Sequence, residues 1–263
     1  MKAKDLKNSI LQLAVQGKLV EQDPNDEPAS VLIERIREER AKLIKAKKIK
    51  APKDGESVIY RASDGSHYEK RIDAKGRESK PACIDDEIPF EIPENWEWCR
   101  LGSLTNLQIG KTPLRSEPGY WLNGVVPWVA ISDMKQDETL TTTKEKVSAA
   151  GMAENFKRGT IPAGTLLMSF KLTIGRTCVL GIEAVHNEAI VSIQPYQDQD
   201  HSQRNYLQLF MPYLVTFGDS KDAIKGATLN KDSLTSLLVP IPPLAEQRRI
   251  VQNSRKFIAQ ITR

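Results

Sequence analysis

The chain is short of several things at once, and each shortage closes off a class of function. It holds 3 cysteines and 3 histidines in 263 residues. Cys83, Cys99 and Cys178 stand far apart, without the paired spacing of a disulfide framework, and read as reduced thiols. His67, His186 and His201 are equally scattered. No Cys or His pair has zinc-ligand spacing, so no structural metal is expected. No apolar run is long enough to span a bilayer, and no basic-then-apolar leader opens the chain. The expectation is a cytoplasmic protein with no membrane partner.

Catalytic signatures are missing too. Gly110-Lys111-Thr112 looks like the tail of a phosphate-binding loop, but that loop needs a glycine where Thr105 stands. Pro113 would also oppose the helix the motif requires. There is no glycine-rich fingerprint for a dinucleotide or for S-adenosylmethionine, and no Gly-x-Ser-x-Gly elbow. The carboxylates Asp133, Glu138 and Glu145 lack the carboxylate-plus-lysine spacing of a metal-dependent nuclease. No catalytic residue is assigned, and a binding role gains ground.

What is present is an ordinary core and a modest basic excess: 40% apolar residues, a net charge of +4 and a pI near 8.8. Such a balance favours polyanionic partners without establishing them. Leu6, Ile10, Leu13 and Ala14 mark one face of a short helix that Gly17 can end. Pro28 opens a second helix, with Leu32, Ile33, Ile36, Leu43 and Ile44 as its stripe. The two read as an antiparallel pair needing something else to pack on. The second helix ends in a basic run over 35–53, which reads both as a solvated face with cations at a helix C-terminus and as a phosphate-contacting one.

Residues 51–88 are polar and read as a hairpin about a two-residue Asp64-Gly65 turn, giving an exposed arm or a linker. Trp96 and Trp98 alternate with charged residues as on a half-buried strand at a domain entrance. Strands are expected within 125–132, 164–170, 177–182 and 188–195, and a helix within 205–217 that Pro212 bends or ends. Strands and helices that do not alternate regularly indicate an α+β fold. The domains expected are 1–50, helical; 51–88, arm or linker; 89–240, the main domain; and 241–263, a departing helix.

The stretch 226–250 joins the last two. Leu234, Leu237, Leu238 and Val239 form an apolar run; Pro240, Pro242 and Pro243 interrupt; a helical pattern then starts at Leu244, with Glu246 near its positive end. Ile250 with Phe257, and Val251 with Ile258, repeat at heptad spacing.

The sequence LNKDSLTSLLVPIPPLAEQRRIV (229–251) resembles the end of a target-recognition domain in the specificity subunit of a type I restriction–modification system. LKNSILQLAVQGKLVEQDPNDEPASVLIERI (6–36) resembles that family's conserved helical region, and IPENWEWCRLGSL (92–104) with IGKTP (109–113) the entrance to its recognition domain. VPWVAISDM (126–134), IPAGTLLMSFKLTIGRTCV (161–179) and HNEAIVSI (186–193) resemble its strands in order. The resemblance implies a recognition domain of twisted mixed β-sheets with short helices. Conserved-region helices would form an antiparallel, coiled-coil-like spacer. It implies a non-catalytic subunit that binds double-stranded DNA and reads one half of a bipartite site. It also implies docking of an adenine-methyltransferase (modification) subunit and a restriction (motor and endonuclease) subunit. S-adenosylmethionine, ATP and Mg would belong to those partners, with no cofactor in this chain. The family usually carries two recognition domains. One domain here is expected to mean a half-subunit, able to pair as a homodimer, or a truncated chain.

Polar loop residues between strands are the DNA-binding candidates: Lys111, Thr112 and Arg115; Lys135; Lys171, Thr173 and Arg176; and Lys225, Asn230 and Lys231. The 171–176 loop stands first, with two cations and a glycine that permits close approach. Leu244, Ile250, Val251, Phe257 and Ile258 are assigned to helix packing or partner docking, with Leu6, Ile10, Leu13, Leu32 and Ile36 opposite them. Two alternatives stay open: an assembly scaffold or antagonist that holds the modification subunit without reading DNA, and a stand-alone enzyme acting on DNA.

Overall fold

The computed structural model describes residues 3–217 and 229–261. These divide into two compact units. The first comprises residues up to 105, the stretch from 195 and the segment from 232; the second is Asn106–Gln194 with the residues just before 232. The second unit is therefore an insertion within the first, and the sequence boundaries drawn at 89 and 240 both fall inside the first.

The first unit opens with α1 (Ala3–Val15) and α2 (Ala29–Lys45). Gly17 ends α1 with φ +69, and Lys18 N donates to Leu13 O at 2.8 Å. A side chain at Gly17 would put its Cβ 2.4 Å from Pro93 Cγ, so the turn is packed shut as well as left-handed. The polar segment then folds as a meander of β1 (Glu56–Arg61), β2 (His67–Ile72) and β3 (Ala82–Cys83). Its first turn is not the expected two-residue one. Arg61 pairs with His67, and Gly65 at φ +89 donates to Ala62 O, which makes a type I turn followed by a glycine bulge. Gly76 and Asp73 repeat the device at the next bend.

This meander corrects the expectation of an exposed arm. Ser57, Ile59, His67 and Glu69 turn one face inward. Ile59 and Ile84 form a cluster with Trp98, which lies on β4 (Glu97–Arg100). The charges hid this face from a hydrophobicity reading, because one of them is buried and paired. Glu69, on the buried side of β2, accepts from Arg100 Nη2 at 2.6 Å, while Arg100 Nη1 reaches Glu87 at 2.7 Å and Ser236 O at 2.9 Å. Burial opposes the charge on Arg100, yet the bonds to Glu87 and Glu69 outweigh it and raise the guanidinium's pKa.

After β4 comes the single turn α3 (Leu101–Leu104), and the chain enters the second unit at β5 (Thr105–Ile109). Then follow β6 (Val126–Val129), β7 (Thr139–Leu140), β8 (Glu145–Val147), α4 (Ala149–Asn155), β9 (Leu166–Ser169), β10 (Thr177–Leu180), β11 (Val185–His186) and β12 (Ile190–Pro195). One sheet has the order β5-β12-β9-β10-β7, mixed because β10 runs parallel to β7 and antiparallel to β9. A smaller sheet, β11-β6-β8, is mixed likewise. The strands expected from apolar runs all occur. β9 and β12 are buried on both faces over most of their length, which is why they read as runs rather than alternations. Leu167, Cys178, Leu180, Ile190 and Val129 make the core.

The chain returns through α5 (Ser202–Phe217), α6 (Lys231–Ser236), β13 (Leu238–Ile241) and α7 (Leu244–Ile261). Pro212 lies inside α5 and does not end it, which removes one of the two outcomes expected from the sequence. Phe210, Met211, Leu214 and Val215 are buried around it, so packing holds the helix through the proline. β13 pairs antiparallel with β4, joining the strands that precede and follow the insertion.

The helix packing departs from the expected pairing. α1 packs on α7 and α5, while α2 lies on α3. Leu32 and Ile36 are buried, but on α2. On α1 the buried residues are Leu11, Ala14 and Val15, one position round from the stripe read in the sequence; Ile10 is half-buried and Leu6 and Leu13 are exposed. On α7, Ile250 and Val251 are buried, Leu244 and Ile258 half-buried, and Phe257 exposed, so the heptad pairs are not buried together. The α+β class stands. Among the described residues no helix is long and apolar enough to cross a membrane.

Candidate nucleic-acid interface

The C-terminal junction is where the sequence is most distinctive, and each of the polar residues 246–249 bonds within its own unit. Pro243 O accepts from Gln247 N at 2.9 Å, which puts the proline at the helix cap and Leu244 at the first helical position. Glu246 is fully buried; it accepts from Trp96 Nε1 at 2.9 Å and from Gln22 Nε2 at 2.5 Å. Burial raises its pKa, against those two bonds. Gln247 Nε2 donates to Pro242 O at 3.0 Å. Arg248 pairs with Asp200, and Arg249 with Asp26 at 2.5 Å. The stretch 246–249 thus ties α7 to three distant parts of its own unit.

The basic end of α2 is also partly spent. Arg40 is buried, pairs with Glu56 at 2.5 Å and lies 5.7 Å from the Tyr196 ring centroid. Arg35 pairs with Glu27, and Arg37 with Glu34 at 3.1 Å. Lys45, Lys47, Lys48, Lys50 and Lys53 remain exposed.

In the second unit the loops leaving the strands bring several sequence candidates together. After β5 the chain passes Gly110 so closely that a Cβ there would lie 2.0 Å from His186 O. Lys111 N then donates to that oxygen at 2.8 Å, and Trp128 Nε1 donates to Lys111 O at 3.0 Å. Thr112 Oγ1 donates to Glu188. Burial raises the Glu188 carboxyl, but the Thr112 bond and the nearby Lys171 and Arg115 charges bring it below its ordinary value. So Thr112, Arg115 and Lys171, from two separate loops, gather about one carboxylate.

Arg115 has a second commitment. Its Nη2 pairs with Glu145 at 2.9 Å, and its guanidinium lies 3.8 Å from the Trp121 ring centroid and 4.9 Å from that of Trp128. The hydrogen bond to Glu145 raises the Arg115 pKa and, reciprocally, Arg115 lowers that of Glu145. Arg115 is therefore a brace of the loop, with its charge largely balanced. Arg176 is half-buried and donates to Ile131 O at 3.3 Å. Lys135 is exposed and lies 3.6 Å from Glu138. Thr173 is exposed, and its carbonyl is held by Ser169 Oγ. Lys225 lies outside the described residues.

A cleft of about 420 Å³ opens beside Gly110. Lys111, Lys157, Arg158 and Lys231 line it, and no carboxylate is among its described lining residues. His186 lines it as well; burial lowers its pKa to about 4, so the imidazole is neutral, and its Nε2 is buried without a hydrogen-bond partner among the described residues. Lys157 and Arg158 were missed by the sequence reading. The only signal was their adjacency before Gly159, which is common on protein surfaces. Asn230 is exposed next to Lys231.

A model of the family described as "Type I restriction modification DNA specificity domain" matches residues 93–263. The chain belongs to this family. The match starts just before Trp96 and runs through the inserted unit to α7. Among curated relatives, the chain is 29% identical over 270 residues to the EcoEI specificity subunit of Escherichia coli, covering 96% of this chain and 40% of that subunit. It is 48% identical over 105 residues to the EcoAI specificity subunit of Escherichia coli, covering 40% of this chain and 14% of that subunit. The chain thus spans less than half the length of these relatives. Among solved structures, an HsdS subunit from Thermoanaerobacter tengcongensis superposes with a TM-score of 0.51 at 21% identity, covering 66% of this chain and 40% of that one. That likeness concerns the fold.

Proposed function

We propose that this chain is the sequence-reading, non-catalytic part of a type I restriction–modification assembly, and that its second unit holds double-stranded DNA. The observation that carries the reading is the cleft lined by Lys111, Lys157, Arg158 and Lys231, where Glu154, an acid paired with a lining cation, stands 3.9 Å from Lys157 and outside the described lining, in a chain of the DNA specificity family. Cations so placed neutralise phosphates and set the register of the duplex; neighbouring loops then meet base edges. Lys171, Thr112 and Lys135 stand on such loops, while Arg115 and Arg176 hold the loops in shape.

The same reading assigns the helices of the first unit to docking a modification subunit and, through it, a restriction subunit. Methyl transfer from S-adenosylmethionine and the use of ATP and Mg would belong to those partners. Reading one half of a bipartite site is part of this proposal, and a second copy of the chain would supply a two-fold partner for the other half.

The test is a selection from random duplexes by the full chain with a type I modification subunit. One enriched motif, with affinity falling steeply as salt rises, is expected. Retention of the modification subunit with no enriched sequence would replace this reading by the assembly-scaffold one. Cleavage or methylation by the chain alone would contradict its non-catalytic role.

A further inference from the structure

The loop between β9 and β10 carries a feature that phosphate binding does not use. Leu172 is 94% exposed, and its backbone is left-handed at φ +61. Leucine is disfavoured on both counts: its side chain gains from burial, and its Cβ is crowded in that conformation. Strained backbone persists where the surroundings hold it, and such positions cluster at ligand-binding sites. Here the base of the loop is rigid. Ser169 is fully buried and donates through its hydroxyl to Thr173 O. Gly175 N donates to Ser169 O, and Ser169 N to Arg176 O, each at 2.9 Å. The apolar tip thus stands out from a fixed base.

Its surroundings indicate what it meets. Lys171 precedes it and lies within electrostatic range of Glu188, the carboxylate about which Thr112 and Arg115 also gather. Ile174, two residues on, is also exposed. An apolar point flanked by a cation suits a surface that is anionic outside and apolar between its layers. A stacked duplex has that character: phosphates line its edges, and the base steps between them admit leucine or isoleucine wedges that kink the helix.

We propose that Leu172 is a wedge that enters a base step of the bound duplex, with Lys171 seated on an adjacent phosphate. This rests on the DNA-reading function proposed above. It adds a part of recognition that depends on how easily the target step unstacks, independent of hydrogen bonds to base edges.

The test compares the full chain with its Leu172→Gly and Leu172→Met variants, with a modification subunit present, on the selected duplex carrying 2-aminopurine at successive positions. Glycine tolerates the left-handed backbone, so Leu172→Gly keeps the fold, as a thermal melt will check. The wild type should brighten 2-aminopurine at one step. Leu172→Gly should lose that signal and bind about tenfold more weakly, with an unchanged salt slope because no cation is removed. Leu172→Met should retain both the signal and the affinity. Equal affinity and equal brightening by Leu172→Gly would overturn the wedge while leaving DNA reading intact. Loss of the modification subunit by Leu172→Gly, with DNA affinity unchanged, would overturn it in favour of a protein contact. Failure of the wild type to bind any duplex would sink the wedge together with the function it rests on.

Discussion

Removing the Glu246 carboxylate should loosen the first unit and leave DNA selection unchanged. In Glu246→Ala, Trp96 Nε1 loses its acceptor in a place where the ring is 3% exposed. A buried donor left unpaired costs about 1–3 kcal/mol. Gln22 loses less, because its amide also lies 3.3 Å from Gly17 O. Arg249 keeps Asp26. Against these losses, the variant no longer buries a carboxylate that burial disfavours. The net expectation is a loss of about 2 kcal/mol in urea unfolding at pH 7. Glu246→Gln keeps an oxygen for the indole and should lose less. The pH dependence gives a second reading. Burial raises the folded pKa of Glu246 above its ordinary value of 4.5, so near and above that value the folded chain holds the proton more tightly than the unfolded one. The contribution of Glu246 to stability is then fullest at low pH and declines as pH rises through the interval up to the raised value. Glu246→Gln has no such proton, so its stability relative to the wild type should improve as pH rises from 4.5. A Glu246→Ala variant within about 0.5 kcal/mol of wild type, or parallel pH curves for Glu246→Gln and wild type, would refute this account of the junction.

Three further outcomes follow from the geometry. Replacing Lys157 and Arg158 together by Ala should make the plot of log K against log salt shallower by about 1.8, or 0.9 for each phosphate no longer neutralised, with equal weakening on every duplex tested; an unchanged slope would remove both from the interface. Glu69→Ala leaves Arg100 buried with Glu87 as its remaining carboxylate and should cost about 3 kcal/mol in urea unfolding, part of which Arg100→Met added to it should restore. Gly110→Ala forces a Cβ to within 2.0 Å of His186 O; a loss of about 2 kcal/mol in thermal stability, with weaker DNA binding, is expected.

β9 and β12 were legible because burial on both faces leaves runs, and runs survive reading without a partner; β7, β8 and β11, two or three residues long, were not read. Gly17 was legible as a helix end for the same local reason. The meander at 51–88 was not: its inward face carries Glu69, whose charge is satisfied by Arg100 from a distant strand, and no local pattern shows that pairing. The α1 stripe was read one position off because Leu6, Ile10, Leu11, Leu13, Ala14 and Val15 allow two overlapping faces, and only α5 and α7 choose between them. In the site, single cations could be named but not ranked. Arg115 was named among the candidates for a charge contact, yet it is balanced by Glu145 and held by two indoles. Lys157 and Arg158 gain meaning from a cleft closed by residues far from them in sequence.

The pairing of β4 with β13 has a consequence for how such chains can be recombined. The polypeptide leaves for its inserted unit and comes back in adjacent strands, about 4.8 Å apart, with Leu101 N donating to Leu237 O at 2.8 Å beside the ladder. A seam this narrow asks of any replacement segment that its two ends meet and that it bring back a helix equivalent to α5 for α1 and α7 to pack on. Exchanging the stretch between residues 105 and 232 for another of the same kind leaves the ladder and the Glu246 knot in place, provided that α5 is kept in kind, because α1 and α7 pack on it and Arg248 pairs with Asp200 just before it. The scaffold can therefore stay constant while the part that reads is traded whole.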